Sequence, residues 1–265
     1  MALRHRGLAN RVIGLGRDQK RLDEARMLGA IDEGTTYVGQ AVQSAEVVVV
    51  CTPTDRIASD VRNLAAWSRR DALITDAGST KRRIVEDVER DDEARLRFVG
   101  AHPLAGSERR GATAARADLF DGRVCALTPT DRTPADRLCQ AEEFWTAIGC
   151  QTVYLDPDSH DEALARTSHL PHLVASALAL TIPAEALPLA AGAYRDGTRV
   201  AAADPDLWVA IFQENPDHLL SALDEFCDHL ERFRTALATE DRDALRSLWI
   251  KGRSHRLRFE SVISP

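Results

Sequence analysis

Glu46-Val47-Val48-Val49-Val50-Cys51-Thr52-Pro53-Thr54, followed by a helical pattern from Asp55 to Trp67 and a second apolar run, Ala72-Leu73-Ile74-Thr75-Asp76, decides the fold. A continuous β-branched run leaves no polar face for water, so its strand is covered on both sides, and a helix between two such runs makes a parallel crossover. The alternation extends outward in both directions. Arg11–Leu15, Arg97–Gly100, Val124–Leu127 and Gln151–Leu155 read as further strands, and Asp18–Leu28 and Lys81–Glu89 as further helices. After Asp156-Pro157-Asp158 the strand signal stops and the pattern is helical to the C-terminus. The expectation is a doubly wound, mostly parallel α/β domain over residues 1–156, followed by an all-α domain over 157–265.

Within the helical part, Leu219, Leu223, Phe226, Leu230, Phe233 and Leu237 recur at steps of four and three. This stripe is the apolar face of one amphipathic helix, and it serves either an intrachain core or a dimer seam. Composition narrows the class. With 265 residues, 44% of them apolar, the chain is long enough to bury a core, and a net charge of −7 argues against a nucleic-acid partner. Five scattered cysteines without a CxxC fit reduced thiols better than disulfides or zinc. The longest wholly apolar run, Val47–Cys51, falls far short of the roughly 20 residues of a membrane span, and no apolar stretch follows Arg4-His5-Arg6. A cytoplasmic protein is expected, with no membrane partner.

Ligands of doubly wound sheets bind beyond the carboxyl ends of the strands. Thr52 and Pro53, the run Asp76-Ala77-Gly78-Ser79-Thr80-Lys81, and Gly100-Ala101-His102-Pro103-Leu104-Ala105-Gly106-Ser107-Glu108 all fall there. A dinucleotide site also needs a glycine-rich turn after its first strand. Gly14-Leu15-Gly16-Arg17-Asp18-Gln19 has Gln19 where the third glycine belongs, and is rejected as that turn. Instead Ala2–His5 reads as a helix end with Gly7 just past it, which makes Arg11–Leu15 the second strand of a Rossmann-like domain. Counted back from Gly16, the fingerprint precedes Met1. The expectation is that translation starts upstream or that this form has lost its phosphate turn. At the tip of the second strand stand Gly16 and Arg17, a small residue and a cation suited to a ribose 2′-phosphate, so NADP is favoured over NAD. Arg17 as a solvated loop arginine beside Asp18 is the alternative. Lys81 either faces the cofactor or decorates the first turn of a helix.

Oxidising an alcohol by hydride transfer calls for a base near neutral pH, and His102 and His169 are the candidates. His169 belongs to Thr167-Ser168-His169-Leu170-Pro171-His172, whose HxxH spacing lacks the acidic third ligand of a metal site.

These three polar clusters, in this order and spacing, resemble the prephenate/arogenate dehydrogenase family, over a stretch from Arg11 to about Trp249. The resemblance implies oxidative decarboxylation of prephenate or arogenate to 4-hydroxyphenylpyruvate or tyrosine, with hydride transfer to NAD(P), in tyrosine biosynthesis. It implies that His169 hydrogen-bonds the C4 hydroxyl of the substrate and that Ser79 and His102 position substrate and nicotinamide. It places Arg199, in Tyr194-Arg195-Asp196-Gly197-Thr198-Arg199, on a substrate carboxylate, and Trp208 and Glu108 near the substrate. Trp208 packed in a core and Glu108 in solvent are the plain alternatives. It also implies a homodimer formed through the helical domain. Two other readings stay open: a non-catalytic ligand-binding or dimerising relative, motivated by the absent phosphate turn, and an NAD(P)-dependent oxidoreductase of the 3-hydroxyacid or imine type.

Overall fold

A computed structural model of the chain describes residues 1–106 and 111–263. It forms two compact units, Met1–Pro216 and Asp217–Pro265. In the first, α1 (Ala2–His5) ends at Arg6 and Gly7 follows at φ +64°, a left-handed turn that a side chain would strain. Next come β1 (Ile13–Leu15), α2 (Gln19–Met27), β2 (Glu33–Thr35), α3 (Val38–Val42), β3 (Val47–Val50), α4 (Thr54–Trp67) and β4 (Leu73–Asp76). They lead into α5 (Arg82–Val88), α6 (Asp92–Arg95), β5 (Phe98–Pro103), β6 (Val124–Thr128), α7 (Ala135–Ala147) and β7 (Gln151–Tyr154).

β1 and β2 pair in parallel as one small sheet, and β3-β4-β5-β6-β7 form a second sheet in that order. Every pairing is parallel except β5 with β6. Successive side chains of a strand point to opposite faces. Val48, Val50, Ile74 and Phe98 therefore meet Ile57, Val61, Ile84 and Val88 of α4 and α5 on one face. Val49, Leu73, Val99 and Ala101 meet Ala141, Trp145 and Ile148 of α7 and its C-terminal turn on the other, where Ala2 also packs. Helices lie on both faces, although in β3 only Val50 is buried while Val48 and Val49 are half-buried and Val47 is exposed, and the α/β expectation holds.

Two details depart from the sequence reading. β2 was not expected, because Glu33-Gly34-Thr35 carries no β-branched run; its parallel register with Ile13, Gly14 and Leu15 makes it a strand. β5 does not end at Gly100. It runs on through His102 and Pro103 because antiparallel β6 pairs with it there, His102 opposite Ala126. His102 thus lies on a strand and is buried, not on the loop beyond it.

Asp156 ends the strand region by capping α8 (Pro157–Leu164): its side chain accepts from Ser159 N–H, and Pro157 opens the first turn. A π-helical turn, Ala165–His169, joins α8 to α9 (Leu170–Ala179). Pro171 has no N–H to give and its ring crowds the Thr167 carbonyl, so the chain widens one turn before it. After α10 (Gly192–Thr198), α11 (Pro205–Glu214) starts at an Asp204 cap. α12 (Pro216–Ala238) carries the chain into the second unit, where it turns back at Glu240 into α13 (Arg242–Ile263). Along the α12 stripe Leu219 is buried and Leu223, Phe226 and Phe233 are half-buried, but Leu230 and Leu237 are exposed. No described helix is long and apolar enough to cross a membrane.

Candidate active site

Asp76, at the end of β4, organises the sheet edge. One carboxylate oxygen accepts from Ala101 N–H at 2.9 Å, and the other from Gly78 N–H at 2.9 Å and from Lys81 Nζ at 2.5 Å. Neither Asp76 nor the Lys81 side chain has exposed surface. The Lys81 side chain turns inward from the α5 N-cap to pair with Asp76. Gly78 sits so close to the core that a Cβ there would lie 2.5 Å from Ile57 Cδ1, which is why this turn takes glycine.

A second hub is Asp161, on the inner face of α8. Its carboxylate accepts from the main-chain N–H groups of Lys81, at 2.8 Å, and Arg82, at 2.9 Å, which ties the first turn of α5 to α8. Its Oδ1 also meets His160 Nδ1 at 2.8 Å, and His160 Nε2 meets His102 Nδ1 at 2.9 Å. His160 and Asp161 have no exposed surface while His102 keeps 9%, so His102 is the open end of this chain.

The protons in this chain are set by its terminus. A carboxylate only accepts, so His160 Nδ1 carries a proton. Burial is the main force holding His102 and His160 below the ordinary histidine range, so both rings are neutral near pH 7. His160 Nε2 is then the acceptor, His102 Nδ1 the donor, and His102 Nε2 carries the lone pair. His169 has the opposite polarity. Asn215 Nδ2 lies 2.7 Å from the Asp161 carbonyl oxygen and 3.3 Å from His169 Nδ1. A carbonyl oxygen demands a donor, which fixes the amide orientation and makes His169 Nδ1 an acceptor. Its proton is on Nε2, a buried atom beside the Ser79 backbone. Burial lowers the His169 pKa to about 4, against a partial counter-effect from Asp161. The two rings thus differ in where they carry their proton, His102 on Nδ1 and His169 on Nε2.

The remaining expected residues are placed as follows. His172 Nδ1 donates to the Ser168 carbonyl at 2.8 Å, and its ring stacks on Trp208 with centroids 3.5 Å apart. Trp208 also meets His169 edge-on at 6.2 Å, so this tryptophan is a wall beside both rings. Arg199, exposed on the turn after α10, lies close enough for its charge to disfavour protonation of His172. Ser79 is half-buried between Gly78 and Thr80, with its backbone beside His169. Glu108 lies outside the described residues.

At the cofactor edge, Arg17 is exposed just past β1 and makes no ion pair among the described residues, while Asp18 caps α2 through Lys20 N–H. Gly16 precedes it, and Gly14 serves packing, since a Cβ there would lie 2.6 Å from Ile31 Cδ1. Thr52 and Pro53 are exposed between β3 and α4. An exposed cation and an open helix start along one strand edge suit an anionic, ribose-bearing ligand. His160, Asp161 and Asn215 escaped the sequence reading. The one available signal was a histidine next to an aspartate, four and five residues past the Asp156 N-cap, and that pattern is common on helix surfaces.

Residues 1–154 match the model of the prephenate dehydrogenase nucleotide-binding domain, and residues 156–250 that of the prephenate dehydrogenase dimerization domain. A cyclohexadienyl dehydrogenase of Zymomonas mobilis is 34% identical over 246 residues, 90% of this chain and 84% of that protein. A prephenate dehydrogenase of Bacillus subtilis is 32% identical over 252 residues, 92% of this chain and 68% of that protein. Among solved structures, prephenate dehydrogenase from A. aeolicus in complex with hydroxyphenyl propionate and NAD+ superposes with a TM-score of 0.89 at 30% identity, covering 97% of this chain and 92% of that one. Synechocystis arogenate dehydrogenase gives a TM-score of 0.81 at 27% identity, covering 97% of this chain and 94% of that one.

Proposed function

Because the chain belongs to the prephenate dehydrogenase family, we propose that it oxidatively decarboxylates prephenate or arogenate, with hydride transfer to NAD(P), in tyrosine biosynthesis. It is an NAD(P)-dependent dehydrogenase. The observation that carries the mechanism is the opposite hydrogen-bonding polarity of His102 and His169.

His102 Nε2, bearing a lone pair, takes the proton of the C4 hydroxyl, a step worth about 10²–10⁴-fold in rate when base and proton are positioned. His169 donates from Nε2 to the same oxygen or to the ring carboxylate, which holds the substrate in register. This divides the work differently from what the family resemblance implies, in which His169 serves the hydroxyl. Bound nicotinamide supplies the hydride acceptor for C4. As the hydride leaves, the ring carboxylate departs as carbon dioxide, the ring becomes aromatic, which supplies the driving force, and His102 returns the proton to the phenolic oxygen. Arg199 binds the side-chain carboxylate, with the Trp208–His172 stack as the wall of that pocket. Ser79 positions the hydroxyl, and Glu108 stays in the proposal as a residue near the substrate.

NADP is the proposed cofactor over NAD, with Arg17 toward the 2′-phosphate, and Gly16, Thr52, Pro53 and Gly78 along the dinucleotide. Asp76 and Lys81 support that edge from inside. We further propose division of labour at residue 156, a homodimer and a cytoplasmic location. The test is reduction of NAD and NADP, followed by absorbance, with prephenate and arogenate each supplied. Turnover in one pairing names substrate and cofactor; silence in all four, both for this chain and for one extended upstream of Met1, rejects the reading.

A further inference from the structure

Asp161 touches both histidines indirectly, through different atoms. Its carboxylate reaches His102 by way of His160, and its main-chain carbonyl reaches His169 by way of Asn215. We propose that His160, Asp161 and Asn215 are positioning residues that set the two catalytic rings in opposite tautomers, His102 as acceptor and His169 as donor. This rests on the reading of His102 as the base.

Several observations converge on it. All three residues have no exposed surface, so a substrate does not reach them. Burying an imidazole, a carboxylate and an amide costs free energy unless each is hydrogen-bonded, and apolar side chains would pack α8 without that cost. The bonds that hold them run toward the two site histidines. Asp161 is in addition fixed by two backbone N–H groups at the start of α5, so the end that dictates the proton order cannot rotate. Without this chain a neutral His102 would share its proton between two nitrogens, and only one tautomer is a base at Nε2. The charged and titratable groups around His102 are Lys81 from the α5 cap, His160 from α8 and His169 from the π turn. Among the described residues only His160 is bonded to it, so His160 is the group that dictates its tautomer.

Two amide variants separate positioning from folding. Gln at position 160 mimics Nε2 and keeps an acceptor for His102, whereas Asn mimics Nδ1, keeping the contact to Asp161 and losing the one to His102. The imidazole ¹⁵N shifts of the full chain at pH 7, with kcat and KM, are measured for the parent, His160→Asn and His160→Gln. The parent is expected to show His102 protonated at Nδ1 and His169 at Nε2. His160→Asn is expected to mix the His102 tautomers and lower kcat about 10²-fold, with the substrate KM held within about threefold. His160→Gln is expected to recover kcat to within about fivefold of the parent. A structural role alone lowers thermal stability in both variants and does not tell them apart in kcat. Nε2-protonated His102 in the parent, or equal kcat in the two variants, overturns the proposal. A parent that turns over neither substrate rejects the functional reading, and the ring shifts still decide the tautomer claim, because they need no activity.

Discussion

At the scale of single residues, burial decides which side chains act and which support. Lys81 and Asp76 have no exposed side-chain surface, and their charges meet at 2.5 Å in the interior. Lys81→Met removes one charge and strands the other, and urea denaturation should show a loss of about 3–5 kcal/mol. A cofactor-contacting lysine would instead leave stability alone and raise the cofactor KM. Arg17 is the converse case, exposed and bearing no ion pair among the described residues. Arg17→Ser should leave the melting temperature unchanged and lower the preference for NADP over NAD about tenfold, the worth of one charge-assisted hydrogen bond. These roles were only half legible in the sequence. The Asp76–Lys81 spacing announced a strand end running into a helix, but whether a lysine at an N-cap turns outward or inward depends on the room beneath it.

At the scale of elements, local signals were strong where the chain bonds to itself nearby. Asp156-Pro157 reads as a helix start, and Asp156 does cap α8. Asp156→Ala should cost about 1 kcal/mol in an equilibrium unfolding experiment. Gly78→Ala should cost more, about 1–3 kcal/mol, because the added methyl would meet Ile57 Cδ1 at 2.5 Å in a packed core. Two elements resisted sequence reasoning for a common reason. β2 and the His102 end of β5 are strands because partners distant in sequence bond to them, Ile13–Leu15 in one case and Cys125–Ala126 in the other. The π turn before Pro171 is intermediate: the proline demands a distortion, but nothing local in the sequence specifies that it takes the form of a π turn.

At the scale of the whole molecule, two properties follow from what is buried and what is left uncovered. Unfolded histidines titrate near 6.5, whereas burial lowers His169 to about 4 and also lowers His102 and His160. Between those values the unfolded chain binds more protons than the folded one, so stability rises with pH. It is complete above about pH 6.5 and lost as pH falls, with His169 alone contributing on the order of 3 kcal/mol. Urea midpoints at pH 7 and pH 5 check this, and equal midpoints would contradict it. The second property lies in the Asp217–Pro265 unit, where Leu230, Leu237, Trp249, Ile250, Leu257 and Phe259 are all exposed. So many large apolar side chains on two helices suit the proposed homodimer interface, and sedimentation should give a dimer. Leu237→Glu combined with Trp249→Glu should shift it toward monomer. The sequence by itself determined the α/β layering, the change to helices after Asp156 and the identity of the polar clusters, because alternation, capping and apolar periodicity act over a few residues. Only the tertiary structure decided that Lys81 faces inward and that Asp161 governs both histidines. A proton's place in a chain of rings depends on which acceptor stands at its far end, and here that acceptor lies 59 positions from His102.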